Sequence, residues 1–220
     1  MNKFILGIAT SCLFVVSALA DTTNFGATVS FGKLEADGTN TTNSSGSAYG
    51  GAATSSNGDM DIPLASVFAE KEVELSAANI AFGIDLTPLT EEAKLGGGTG
   101  FDATVTIENQ FTAYIQPSKA LNDSMSIFVK FGYSRADIEV DDVSRQATSF
   151  GTVSTDAGAS KSLEGPMIGV GFEKNDGEKF ARIGVTHTDY DQISYTNSNS
   201  KVLTADAELT AIHLSFGKKF

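Results

Sequence analysis

The chain has 220 residues, 41% of them hydrophobic, with a mean hydropathy of −0.03 and a formal net charge of −12. That charge argues against a nucleic-acid partner, whose phosphates it would repel. One cysteine and two histidines make a transition-metal site improbable.

Lys3 precedes an apolar run from Phe4 to Val16, and Ser17-Ala18-Leu19-Ala20 stands before Asp21. This order of charged, apolar and small residues is a secretory signal peptide over residues 1–20. Its core is too short to cross a bilayer, which takes about 20 apolar residues. After it, no stretch approaches the ~18 consecutive apolar residues of a membrane helix. Cys12 invites a lipid anchor, but Ala9 stands where a branched aliphatic is wanted and the apolar run continues past the cysteine. Cleavage after Ala20 removes the only cysteine and leaves 14 Lys+Arg against 27 Asp+Glu, a net charge of −13. The mature domain, residues 21–220, is then exported without a disulfide and needs another source of rigidity.

Alternating patterns follow in order. The first strand is expected near Phe25–Glu35, with Ala27, Val29 and Phe31 outward. A long Thr-, Asn-, Ser- and Gly-rich loop comes next, with room for an extra hairpin. The second strand is expected at Ile62–Lys71, where both parities are partly apolar and the facing stays open. The third, Asn79–Leu86, puts Ile80, Phe82, Ile84 and Leu86 outward and Ala81, Gly83 and Asp85 inward. Gly96 to Gly100 lacks the Lys-Ser/Thr and helix of a phosphate loop and reads as a loop tip.

The fourth strand alternates from Thr104 to Gln116, with Val105, Ile107, Phe111, Ala113 and Ile115 on one face and Thr106, Glu108, Gln110, Thr112 and Tyr114 on the other. That length suits a tilted membrane strand of about 9–11 residues with modest overhang, where a sandwich strand is nearer 5–6. After a turn over 117–123, the fifth strand puts Ile127, Val129, Phe131 and Tyr133 outward and Phe128, Lys130, Gly132 and Ser134 inward. Arg135 continues the outward parity as a rim residue. The acidic run Asp137, Glu139, Asp141 and Asp142 is expected to open the third long loop, a solvated stretch without calcium-loop spacing. The sixth and seventh strands form a hairpin about Asp176-Gly177, a two-residue type I′ signal. Its register would pair Asn175 with Glu178, Phe172 with Ala181 and Val170 with Ile183, with Glu173 diagonal to Arg182. The eighth strand covers Thr204–Phe220 and puts Ile212, Leu214, Phe216 and Phe220 on one face, His213 and Ser215 on the other.

Short connections near 72–78, 117–124 and 175–178 alternate with long ones near 36–61, 87–101, 140–161 and 191–203, the habit of membrane barrels with short periplasmic turns and long external loops. An alternating last strand ending on Phe220, together with Leu121–Arg135 and Met167–Lys174, resembles the small bacterial outer-membrane β-barrel family, such as the opacity proteins, OmpX and the transmembrane part of OmpA. Lys218 departs from the pattern, standing where an apolar residue is usual. The resemblance spans about Phe25 to Phe220. It implies an all-β, eight-stranded antiparallel up-and-down transmembrane barrel, or ten strands if the first loop hides a hairpin. It also implies an outer-membrane location with both termini periplasmic, and a closing segment (Ile212, Leu214, Phe216, Phe220) read by the barrel-assembly machinery.

An eight-stranded barrel is just wide enough for side chains to fill its interior. The expected inward set includes Asp85, Glu108, Lys130, Glu173, Arg182 and His213. Charges of both signs in so narrow a space should pair, since an isolated buried charge is very costly. Two readings follow: a plugged, non-enzymatic surface protein contacting outer-membrane lipopolysaccharide, or a narrow channel for small solutes. A third, distant reading is an enzyme. His213-Leu214-Ser215 has the spacing of the His-x-Ser pair in the lipid A deacylase, but Phe216 stands where that family has Asn, and both side chains face the lumen. No cofactor is expected, and the protein is expected to be a monomer.

Overall fold

The computed structural model describes residues 22–42, 54–88, 91–97, 101–145, 159–196 and 201–220, with side chains described for 22–37, 57–88, 109–137, 162–192, 204 and 206–220. The expected signal peptide and the tips of the expected long connections lie outside the described residues. The strands are β1 (Thr22–Thr42), β2 (Thr54–Glu74), β3 (Asn79–Thr87), β4 (Glu91–Gly97), β5 (Phe101–Asn122), β6 (Met125–Arg145), β7 (Ala159–Asn175), β8 (Lys179–Thr196) and β9 (Lys201–Lys219).

All pairings are antiparallel, β3 and β4 both pair with β5, and β1 closes on β9 from Asn24↔Lys219 to Thr42↔Lys201. β3 and β4 are two halves of one stave. Thr87 pairs with Gln110 of β5 and Glu91 with Ile107 of the same strand. The result is an eight-stranded closed barrel. Thr23 and Phe220 finish the closure with reciprocal backbone hydrogen bonds of 3.0 and 2.8 Å, and the Phe25 and Phe220 rings meet edge-on at 6.0 Å.

The strands run beyond their expected ends. β1 has 21 residues and β5 has 22, about twice the 9–11 that a bilayer needs. The acidic run from Asp137 to Asp142 lies within β6, not in a loop. β5 likewise continues through the expected turn at 117–123 to a tight connection at Asp123-Ser124, where Asn122 pairs with Met125. Gln116 and Pro117 drop out of the pairing with β6, as suits a residue without an N–H, yet stay paired with β3.

The β7–β8 hairpin keeps the expected faces but not the expected register. Phe172 pairs with Ile183, Val170 with Val185 and Glu173 directly with Arg182. The reason lies in the turn. Asp176 flanks it instead of forming its centre, bonding through its N–H to Lys179 O at 3.0 Å. The Asp176 carboxylate accepts from the N–H of Lys179 at 2.8 Å and of Glu178 at 3.3 Å. The central pair is Gly177-Glu178, with the positive φ of 96° at Gly177, which suits a turn whose first central residue is glycine. A shift of two residues preserves side-chain parity, so the faces survive.

Around the middle of the barrel the outer face is apolar. Phe25, Val29, Phe31, Phe131, Ile168, Val170, Phe172, Ile183, Ile212, Leu214 and Phe216 are exposed, Phe31 at 73%. A continuous apolar belt of this kind is not the surface of a protein bathed in water on all sides. Toward the end away from the termini the outer face changes abruptly, to exposed Lys33, Glu35, Asp37, Asp59, Asp61, Asp189, Asp191, Asp206 and Glu208. Inside that end lies one packed apolar cluster of Leu34, Ile62, Leu64, Ala136, Leu163, Tyr190, Ala207 and Leu209. The barrel therefore swaps polarity along its axis.

Candidate functional site: the barrel lumen

The lumen is layered. At the mouth beside the termini is a vestibule of about 290 Å³, lined in part by Asn79, Ser118, Asn122, Ser126, Glu72, Glu173 and Lys219. Lys219 Nζ lies 3.2 Å from both Glu72 and Glu173. Asn79 donates to Glu72 at 2.8 Å.

Above the vestibule is a layer centred on Arg182. Its Nε donates to Glu173 at 2.7 Å, and its two terminal nitrogens donate to Glu70 at 2.5 and 3.0 Å. Glu70 also accepts from Asn24 at 2.9 Å and from the Tyr114 hydroxyl at 2.8 Å. Asn24 reaches Glu72 as well, at 3.1 Å, so β1, β2, β5, β7, β8 and β9 are tied by one polar network. A guanidinium gripped bidentately is the strong form of such a pair. The Phe180 ring lies 4.3 Å from the Arg182 guanidinium carbon, and Phe68 and Phe128 stand further off at 5.6 and 6.0 Å. These rings fit because each lies over a cross-strand glycine. Phe180 covers Gly217 and Phe68 covers Gly26, where a Cβ would collide with the ring.

Next comes a chamber of about 70 Å³, lined by hydroxyls such as those of Ser30, Ser66 and Thr186, by Asp85, Lys130 and His213, and by apolar side chains such as Phe128, Met167 and Leu209. Lys130 Nζ stands 4.1 Å from the centroid of the Tyr114 ring and faces Asp85, which accepts a hydrogen bond from Ser66. His213 is held through both ring nitrogens, Nδ1 to Ser30 and Nε2 to Thr186, each at 2.6 Å. Ser215 bonds Thr28 at 2.8 Å. His213 and Ser215 are thus engaged with other partners and not with each other, so the spacing that suggested a catalytic pair does not produce one.

Above the chamber is the apolar cluster, a collar contributed by β1, β2, β6, β7, β8 and β9. Gln110 bridges its lower edge, donating to Ser134 at 3.0 Å and to the Tyr190 hydroxyl at 3.2 Å. At the outer rim Arg135 pairs with Glu164 at 3.1 Å and with Asp137 at 3.6 Å.

Asp85, Lys130, Glu173, Arg182 and His213 all lie in the lumen. Arg182 and Glu173 join in the charged layer, while Asp85, Lys130 and His213 share the chamber. Glu108 is different. Its side chain lies outside the described ones. Along the backbone, β5 bulges at Asn109, with φ 48° and a one-residue register shift, and Glu108 pairs with Asp137. The centre of the network, Glu70 and Glu72, together with Asn24 and Lys219, is not in the expected set. The available signal was the alternation of Phe68, Glu70 and Glu72 on one parity of β2.

Several solved structures share the barrel outline at low identity. The attachment invasion locus protein Ail of Yersinia pestis matches at 12% identity and TM-score 0.44, covering 90% of this chain and 98% of its own. Neisserial surface protein A matches at 10% and 0.43, covering 87% and 97%. The N-terminal barrel domain of Pseudomonas aeruginosa OprF matches at 10% and 0.35, covering 91% and 98%. No family model and no curated protein matches the chain. The chain is a closed eight-stranded barrel. Its own ladder, belt and lumen carry the functional reading.

Proposed function

We propose that this protein is a non-enzymatic outer-membrane scaffold, a closed barrel that holds long external connections at the cell surface. The observation that carries the reading is a lumen occupied, among the described residues, by the buried Arg182–Glu70–Glu173 layer below and the packed apolar cluster above. The exposed belt from Phe25 to Phe31 and its neighbours suits lipid, and the charged outer face beyond it suits water. The short turns and both termini share the end opposite that charged face, which supports a periplasmic position for them. Outer-membrane lipid and lipopolysaccharide are its surroundings, and the barrel-assembly machinery is its insertion partner, with Ile212, Leu214, Phe216 and Phe220 as the segment offered to it. Three of those side chains stand on the exposed face of β9 and Phe220 follows its end.

Single-channel recording of the refolded protein, after heat-dependent gel mobility has confirmed the folded barrel, tests the reading. A silent folded barrel is expected. Reproducible conductance steps from the wild-type chain would replace the scaffold by a narrow channel.

A further inference from the structure

We propose that the seal of this barrel is the apolar collar at its external end, and that the Arg182 layer is a brace which does not itself bar water or ions. The inference rests on the closed-scaffold reading and names the part of the lumen that does the closing.

The two layers meet their surroundings differently. The Arg182 layer has space with polar groups on both sides, the vestibule of about 290 Å³ below and, above, the chamber of about 70 Å³, where Asp85, Lys130, His213 and several hydroxyls share the wall with apolar side chains. The chamber has room and partners for bridging water. An ion or water molecule at this layer exchanges one set of hydrogen bonds for another.

Among the described residues, which build the collar from six of the eight staves, there is no such exchange. Ile62 on β2 and Leu163 on β7 come from opposite sides of the ring and belong to one packed cluster, at 2% and 3% exposure. The Tyr190 hydroxyl, its one polar side-chain atom, is already engaged by Gln110. An ion entering there would lose its hydration with nothing in return. Apolar constrictions of this kind close pores by excluding water. The collar also sits where the outer face has turned to Lys33 and Glu35, so it closes the barrel near the external edge of the belt and leaves the lumen below it polar.

The test is conductance of three proteins in planar bilayers, each first shown to be folded by heat-dependent mobility. These are the wild type, Leu163→Asn/Leu209→Asn in the collar, and Arg182→Met/Lys219→Met in the brace. Silence is expected from the wild type and the brace variant, and resolved steps from the collar variant. Steps from the brace variant with an intact collar, or silence from a folded collar variant, would overturn the inference. Conducting wild type would overturn the scaffold reading itself. A thiol placed in the chamber covers the case of a variant that fails to fold. Ser66→Cys in intact cells should resist an impermeant thiol reagent added outside, and should become labelled once Leu209→Ser is added. Labelling with the collar intact, or resistance with Leu209→Ser present, would also overturn it.

Discussion

The two ends of this barrel are built on opposite rules. In the half beside the termini the outside is apolar and the inside is charged, as lipid outside and polar packing inside require. In the half away from the termini the outside carries carboxylates and the inside is a core of Leu34, Ile62, Leu163 and Leu209, the arrangement of a protein dissolved in water. One continuous set of strands serves both, and the change occurs within about one turn of the pleat, between Phe31 and Lys33 on β1. The barrel is therefore held together by paired charge at one end and by apolar burial at the other, and the two ends should fail differently.

The largest expected effect lies in the charged half. Arg182→Met leaves Glu70 buried without its cation and Glu173 with Lys219 alone, and breaking a buried pair in this way costs about 3–5 kcal/mol. Equilibrium unfolding from detergent or lipid would show it, and adding Glu70→Gln should recover part of the loss. A cost near zero would mean that water already solvates the layer. Next is a contrast across the polarity boundary. Val29→Lys on the belt should cost ~2–4 kcal/mol in lipid. Glu208→Lys, on the same outer face above the boundary, should instead stabilise by about 0.2–1 kcal/mol. Glu208 stands directly across from Glu35 on one side and Asp189 on the other, and like charges so placed repel. Equal costs at the two positions would remove the boundary.

Gly217→Ala tests the fit of Phe180 against the opposite strand, where the added methyl meets the ring. The expected loss is about 1–3 kcal/mol, measured by the same unfolding, with Phe180→Leu in the same chain recovering part of it, since the methyl also meets the Phe25 carbonyl oxygen. The smallest effect is at the β7–β8 turn. The Asp176 carboxyl is held below its usual range, chiefly by the Lys179 backbone N–H, with help from that of Glu178. A carboxyl depressed in the folded state stabilises above its unfolded pKa, and that contribution fades as pH falls through the folded value. Asp176→Ala should therefore shift the unfolding midpoint slightly at neutral pH and not at all in strong acid. A shift of equal size at both pH values would show that the carboxylate bonds are not its source.

Period-two alternation was enough to place the staves and, on most of them, the facing side chains, because every strand of a closed barrel must present one parity to each side. It failed on β2 for the same reason that the barrel has two halves. Its inward residues run Ile62, Leu64, Ser66, Phe68, Glu70 and Glu72, apolar at one end and charged at the other, so neither parity looked consistently apolar. That ambiguity hid Glu70, the acceptor at the centre of the network. The bulge at Asn109 left no mark in the residue pattern, and Glu108, just before it, lies outside the described side chains. The hairpin register slipped by two because Asp176 can either form the centre of a turn or flank it. Only the side-chain bonds to Glu178 and Lys179 decide between the two. The collar was missed for want of a boundary. Leu34, Leu163 and Leu209 look like ordinary strand residues until the outer face beside them turns acidic.

The most direct measurement is a nitroxide scan of the outer face of β1 in liposomes, with single-cysteine variants at Phe25, Ala27, Val29, Phe31, Lys33, Glu35 and Asp37. Relaxation by oxygen, which concentrates in lipid, is compared with relaxation by a water-soluble nickel complex. The account predicts lipid contact through Phe31 and water from Glu35 onward. A label at Glu35 or Asp37 as lipid-exposed as that at Val29, or a water-exposed label at Val29, would contradict it.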